Sequence, residues 1–501
     1  MKKLWVLPVL VAFLCVSLVA CAPAKGSVDQ GDMRVYPVSQ DDGVSTIVMG
    51  DVMPFYDDGV MNIYHLQNST GSLYMFYHPI SRLTTTDFLH YTDEGIAINF
   101  EEDYYSPDAS LGTGSFIKDA SGKYHCFYTG HNGMTDAGLP YFEAVRHAVS
   151  TDGQKTWQKV DEFSLYGTEN DFRDPYVYYD SVDNCYYMLV TTRANGRGVI
   201  KQYAADSLDA ASSEWRDCGI FFDNDAGSYN MECPSYVEWN GFYYLAYSEQ
   251  GAERVTHYRY KTERDGEWKK FERDSIDNNG FYAGRLEKTA DGLYAFAWCA
   301  KLTGASSGDF DWGGNLVTHQ IKQLESGELI PVMVSNVENE LDEQVAYKLS
   351  NGKKVSKFNF DGTKFSAFGI ETLSTNVTRL HFTITLNSLN GDFGLTFGLD
   401  QAYNNRLGAG VVAFNASSNR IECYNAVTSI IRYGSPLTSM GFTFETGKTY
   451  NVDVLIHGEL LTVYFNETLA MTVRVPSMPE KCFAFYSHGT DVSIGEIAFY
   501  E

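Results

Sequence analysis

The chain has 501 residues and a formal net charge of −26, with 64 acidic against 38 basic side chains. At roughly 150 residues per domain this allows two or three domains with full cores, so the fold needs no disulfide staples, and the acidic balance excludes nucleic acid as a partner. Aromatics make up 15% of the chain, with 35 Tyr and 31 Phe beside 44 Gly, a mixture that favours many short strands joined by turns over long helices.

The opening, MKKLWVLPVLVAFLCVSLVAC, sets two lysines before an apolar run and small residues before Cys21, which is the pattern of a signal peptide over residues 1–20. Leu18, Val19, Ala20 and Cys21 resemble the lipobox of bacterial lipoproteins. That resemblance implies cleavage before Cys21, lipid on its sulfur, and a protein held at the bacterial surface or the periplasm-facing membrane by that anchor alone. A single membrane span is the competing reading, but the run is short for a bilayer core. Residues 21–38 form the expected tether. Cleavage removes Lys2 and Lys3 and leaves a net charge of −28. Of nine cysteines, seven are scattered from Cys126 to Cys482. That odd, wide set is no disulfide framework, and with no CxxC or HExxH spacing no metal site is expected.

Beyond the tether a turn followed by an aromatic strand recurs. The copies are YDDGVMNIYHLQN from Tyr56, DASGKYHCFYTGHN from Asp119, DSVDNCYYMLVTTR from Asp180, VEWNGFYYLAYSE from Val237 and TADGLYAFAWCA from Thr289, with starts 63, 61, 57 and 52 residues apart. Strands after acid-rich turns recur between them, among them TWQKVDEF, EWRDCGIFF and EWKKFERD. Five units of about four strands predict an all-β fold, a five-bladed β-propeller over residues 39–335, with a hairpin sandwich as the competing reading.

Measured from these copies, Asp51, Asp174 and Glu232 precede their repeats by five, six and five residues, which predicts equivalent places in three blades. The first strand of each blade lines the central channel, so the three acids should meet at one mouth. Gly114 and Ser115 hold the place in the second unit and Tyr282 to Arg285 in the fifth. Carboxylates brought together raise one another's pKa, and burial adds to it, so one can stay protonated while another is ionised. Such a pair suits glycoside cleavage. Glu232, between Met231 and Cys233, reads as an acid in an apolar setting. Arg173 is suited to hold sugar hydroxyls or to orient Asp174, unless the two merely pair and stiffen a turn.

Arg173-Asp174-Pro175 and Glu232-Cys233-Pro234 resemble the RDP and EC motifs of the invertase, levanase and inulinase family, glycoside hydrolase family 32. GTGSF is similar to that family's FSGS segment, and FYAGRLEKTADGLYAFAWCA with DWGGNLVTHQI is similar to its late blade. The resemblance implies Asp51 as nucleophile, Asp174 as the residue that binds fructosyl hydroxyls and stabilises the transition state, Glu232 as acid/base, and a retaining mechanism, requiring no cofactor, on an oligo- or polysaccharide of the fructan or sucrose type. At the nucleophile the chain departs from the family's WMNDPNG, reading VMGDVMPFYDDG, which leaves Asp57 and Asp58 as further acids. Those two fall in the turn after the strand, where acids are ordinarily solvated. Ser115, Gln67, Arg173 and Tyr282 are candidate substrate-binding residues. Trp312 and Trp298 can stack on a sugar or pack between blades, and His65, His78 and His319 read as structural.

The acid-rich stretch around 333–345 reads as a linker. From 345 to 501 the hairpin-rich alternation predicts a β-sandwich, similar to the family's terminal module, propping the propeller more than binding glycan. Two other functions fit the same pattern: an inverting arabinan- or xylan-active propeller, and a surface glycan-binding lipoprotein without catalysis.

Overall fold

The computed structural model describes residues 33–38, 48–68, 78–224, 227–251, 254–302, 310–349, 357–362, 366–371, 377–397, 410–425, 435–475 and 482–501. The expected signal peptide, Cys21 and the first part of the tether lie outside them. The architecture is a five-bladed β-propeller followed by a β-sandwich.

The first blade runs from the axis outward as β1 (Met49–Asp57), β2 (Val60–Gln67), β3 (Ile80–Thr85) and β4 (Thr92–Ile98). The second is β5 (Ser110–Lys118), β6 (Tyr124–His131), β7 (Glu143–Ser150) and β8 (Gln158–Lys159). The third is β9 (Phe172–Asp180), β10 (Cys185–Ala194), β11 (Arg197–Ala205) and β12 (Arg216–Phe222). The fourth has β13 (Met231–Trp239), β14 (Phe242–Glu249) and β15 (Thr256–Lys261). The fifth is β16 (Tyr282–Lys288), β17 (Leu293–Leu302), β18 (Phe310–Gln323) and β19 (Leu329–Val332). The second strand of each blade is nearly continuous apolar sequence because it is covered on both faces by neighbouring blades.

The fourth blade departs from expectation. EWKKFERD and the Ser275 that follows it form only isolated bridges, Tyr260 with Lys269 and His257 with Ser275, instead of a full outer strand. Its two anchors, Trp268 and Phe271, are an odd number of residues apart, which in a strand sends them to opposite faces. Trp268 packs on Phe221 toward the third blade, whereas Phe271 stacks on Tyr260 at 4.3 Å. The ring closes where β1 pairs with β18 through Met49 and Gly314, joining the first and fifth blades in one sheet. A Cβ at Gly314 would lie 1.8 Å from the Cys299 carbonyl oxygen, so only glycine allows that approach.

The end of the expected tether is not free. Val35, Tyr36 and Val38 are buried, the Pro37 carbonyl accepts from the Leu316 amide at 3.0 Å, and the Tyr36 hydroxyl meets that of Thr462 at 2.6 Å. These residues strap the closing blade to the sandwich. The expected linker carries one short helix, α1 (Ser335–Glu340), and sandwich pairing begins at Gln344 against Tyr500. The two sandwich sheets enclose a separate core of Phe382, Phe393, Phe414, Phe465, Phe485 and their neighbours.

Candidate active site

Every innermost strand is interrupted by a β-bulge near its start. Register against the second strand slips at Asp51–Val52, at Thr113, at Asp174–Pro175, at Cys233–Pro234 and at Ala283–Gly284. In four of the five the first bulge residue is left-handed, with φ of 39° at Asp51, 58° at Asp174, 54° at Cys233 and 53° at Ala283. For side chains other than glycine this strain costs on the order of 1 kcal/mol or more each. The bulge re-aims these five side chains toward the axis. It also explains Pro175 and Pro234, which occupy bulge positions where the ladder does not need the backbone nitrogen.

The register corrects the sequence reading of Glu232. Asp51, Thr113, Asp174, Cys233 and Ala283 are the equivalents; Glu232 stands one residue earlier, matching Gly50, Gly112, Arg173 and Tyr282. The second blade therefore contributes Thr113 to the ring, not Gly114 or Ser115. The three acids still converge, but on two tiers.

The inner tier is tightly held. Thr113 Oγ1 donates to Asp51 Oδ2 at 2.9 Å and Trp298 Nε1 donates to Asp51 Oδ1 at 3.1 Å. The Cys233 amide donates to Asp174 Oδ2 at 2.9 Å, and the Asp174 amide donates to Thr129 Oγ1 at 2.9 Å. On the outer tier Arg173 does not pair with Asp174. Its guanidinium reaches Glu232 Oε1 at 2.7 Å, Asp171 at 2.9 Å, Glu143 at 3.2 Å and Gln250 at 3.4 Å. The Tyr282 hydroxyl donates to Glu232 Oε2 at 2.5 Å. Glu232 thus sits in a polar setting, against the apolar one expected from its flanks; Met231 is buried, and the Cys233 thiol lies on the inner tier, 3.7 Å from Asp174 Oδ2.

Burial pushes Asp51 above the usual carboxylate range and the charge of Glu232 adds to it, while the bonds from Thr113 and Trp298 and the charge of Arg285 oppose it. Burial likewise pushes Asp174 up to about 7, opposed by Arg173 and reinforced by Glu232 and Asp51. Burial and the charge of Glu232 together raise the Tyr282 hydroxyl, and burial raises the Cys233 thiol, so both stay protonated. These mutual influences place Asp51, Asp174 and Glu232 in one electrostatic field.

Aromatic rings wall the first and fifth blades beside this field. Trp312 lies 6.1 Å from Trp298 between ring centroids and stacks on His78 at 4.0 Å. It occupies the space a side chain at Gly50 would need, since a Cβ there would lie 2.6 Å from the indole. Gln67 ends β2 at the same rim and accepts from Ser81 Oγ at 2.5 Å. Ser115 is placed differently: 4% exposed, it accepts from the Val177 amide at 2.9 Å and pins the second blade to the third, below the acids. Asp57 lies at the far end of β1, bound by Lys118 at 3.0 Å and Tyr124 at 2.7 Å, and Asp58 is exposed in the turn beyond it. His65 is buried and His319 lies under the sandwich, both hydrogen-bonded. Sequence reasoning missed Thr113, Thr129 and the indole of Trp298 as partners of the acids. Thr113 carried a signal, standing in LGTGSF immediately ahead of the Gly114 and Ser115 to which the count from the turns points.

The fold and site define a propeller with an acidic, aromatic-walled mouth. Residues 53–324, more than half of the chain, match the glycosyl hydrolases family 32 N-terminal domain, and the chain belongs to that family. The match begins two residues after Asp51. The chain is 27% identical over 203 residues to the levanbiose-producing levanase of Bacillus subtilis, covering 36% of this chain and 33% of the levanase, so it spans about a third of that relative's length. The sucrose-6-phosphate hydrolase of Lactobacillus gasseri has the same fold, with a TM-score of 0.70 at 16% identity over 95% of this chain and 94% of that one. So does the exo-inulinase of Aspergillus awamori, with 0.67 at 14% identity over 90% and 95%.

Proposed function

We propose that the chain is a retaining fructosidase that cleaves fructosyl linkages of the levan, inulin or sucrose type. The observation that carries this reading is the convergence of Asp51 and Glu232, from the first and fourth blades, around one mouth in a chain of family 32. The names of its relatives, a levanase, an exo-inulinase and a sucrose-6-phosphate hydrolase, support a fructosyl substrate over the arabinan or xylan alternative.

In this mechanism Asp51 attacks the anomeric carbon of a fructosyl unit while Glu232 gives a proton to the departing oxygen. Glu232 then takes a proton from water, which releases fructose from Asp51. Thr113 and Trp298 fix both oxygens of Asp51, so the nucleophile does not reorganise on attack. Arg173 and Tyr282 aim the carboxyl of Glu232. Asp174, pushed up to about 7, can accept from or donate to fructosyl hydroxyls. Trp312 supplies an apolar face for the ring and Gln67 a polar edge. The lipobox-like residues ending at Cys21 support a lipid-anchored place at the bacterial surface, where polymeric fructan is met.

The test is incubation with sucrose, inulin and levan, comparing the native protein with Asp51→Asn and Glu232→Gln. Fructose or short fructans should appear with the native protein, with losses of roughly a thousandfold or more in both variants. Arabinose from arabinan without fructose from any of the three, or binding without turnover, would overturn the proposal.

A further inference from the structure

Arg285 directly follows the Ala283–Gly284 bulge of β16, one step further along its strand than the acid tier, and is 1% exposed. Its Nη1 crosses to the second blade and donates to the Gly114 carbonyl at 2.6 Å, and its guanidinium stands 5.8 Å from the Tyr176 ring of the third blade. Its Nε and Nη2 are buried without a hydrogen-bond partner among the described residues. A buried cation left without a counter-ion in contact is costly, by several kcal/mol. Arg173, the guanidinium of the outer tier, is engaged by Asp171, Glu143 and Glu232. Arg285 is not, so its charge acts through space. Its anchor, Gly114, directly follows Thr113, whose hydroxyl holds Asp51.

We propose that Arg285 is a positioning residue for the reaction at Asp51: a fixed guanidinium, one step along its strand from the acid tier, that keeps the nucleophile negatively charged between turnovers. This rests on the reading of Asp51 as nucleophile.

The groups that face Asp51 are Glu232 and Cys233 of β13, Asp174 of β9, Tyr282 of β16, Thr113 of β5 and Trp298 of β17, and the Arg254 guanidinium lies over the Tyr282 and Trp298 rings at 4.5 and 5.4 Å. Around Arg285 are Asp51, Tyr176 and the thiols of Cys126 and Cys233, with Glu287 further along β16 also acting on Tyr176. Burial and Glu232 raise Asp51, and of these groups Arg285 is the cation that opposes them.

The experiment is the pH dependence of kcat/KM on sucrose or levan for the native protein and for Arg285→Lys, Arg285→Gln and Arg285→Met. Gln keeps a donor for the Gly114 carbonyl without charge, Met fills the channel without either, and Lys keeps charge. The acid limb should move up by about one pH unit in the Gln and Met variants, so that activity a unit below the native limb falls about tenfold, while the alkaline limb stays in place. Lys should return the acid limb to within about 0.3 unit of native. If one neutral variant fails to fold, the other decides. An unmoved acid limb in the neutral variants, or a Lys variant shifted as far as Gln, overturns the proposal. Asp51→Asn is assayed alongside. If it is inactive while the limbs are unmoved, only the role of Arg285 falls; if it is active, the nucleophile reading falls and takes this one with it.

Discussion

Asp174 shows how much the site trades stability for chemistry. It is 4% exposed, held in a left-handed bulge, and pushed up to about 7 by burial against an ordinary carboxylate value of 3.8. A carboxyl whose folded value is raised binds more protons folded than unfolded between those two pH values. Stability therefore falls as pH rises through that window, by up to about 4 kcal/mol at the top. Asp174→Asn keeps an oxygen for the Cys233 amide and removes the titration. Its melting temperature is expected to exceed that of the native protein by a few degrees at pH 8 and to match it near pH 4, with activity lost at both. Thermal melts at the two pH values check this, and an equal difference at both would contradict it. The RDP and EC triplets were legible as chemistry, since an Arg-Asp pair ahead of a proline suits neither a core nor a ladder. What they do in space was not. Arg173 bonds across to the fourth blade instead of to its neighbour, because the bulge turns Asp174 inward and leaves Arg173 on the outer tier.

At the scale of elements, the repeat of turn and aromatic strand gave the blade count because every second strand packs between two blades and must be apolar throughout. It misplaced Glu232 by one residue for a geometric reason. The repeats were indexed on turns, and the copies start at the eighth residue of β1, the ninth of β9 and the seventh of β13, three strands of nine residues each. Counted from the strand's first residue, Asp51, Asp174 and Cys233 are all third and Glu232 is second. A bulge leaves no composition signature of its own beyond the prolines at 175 and 234, so tier and register came only with coordinates. The partial outer strand of the fourth blade was hidden in the same way, by a sequence with strand-like composition and the wrong spacing of its two anchors.

The whole molecule is locked by a buried polar seam between propeller and sandwich. Asp277 accepts from the Thr472 amide at 2.9 Å and lies 2.9 Å from His319 Nε2, while His319 Nδ1 meets the Tyr464 hydroxyl at 3.1 Å. Arg474 of the sandwich donates to the carbonyl of Ala300 at 2.9 Å and to Asn315 at 2.5 Å on the fifth blade. Gly280 permits the approach, since a Cβ there would lie 2.0 Å from the Thr472 carbonyl oxygen. Asp277→Ala leaves both His319 and the Thr472 amide without their acceptor and is expected to cost about 3–5 kcal/mol in denaturant unfolding. Asp206→Ala, which breaks the exposed pair with Arg216, should stay within about 0.5 kcal/mol. Similar losses from the two would contradict a seam that holds the halves together. Beyond a structural reading of His319 this seam was not legible in the sequence, because the partners across it lie 145 to 195 residues apart. The sandwich itself was legible from its alternation, and the seam ties it to the propeller.

In the proposed mechanism Asp51 is the group that bonds to sugar. Glu232→Gln given a fructosyl donor whose leaving group needs no proton should complete the first step and stall before the second. Acid quench, digestion and mass spectrometry should then find the fructosyl mass on the peptide carrying Asp51. A fructosyl mass on Asp174 or another residue, or none despite release of the leaving group, would contradict the account.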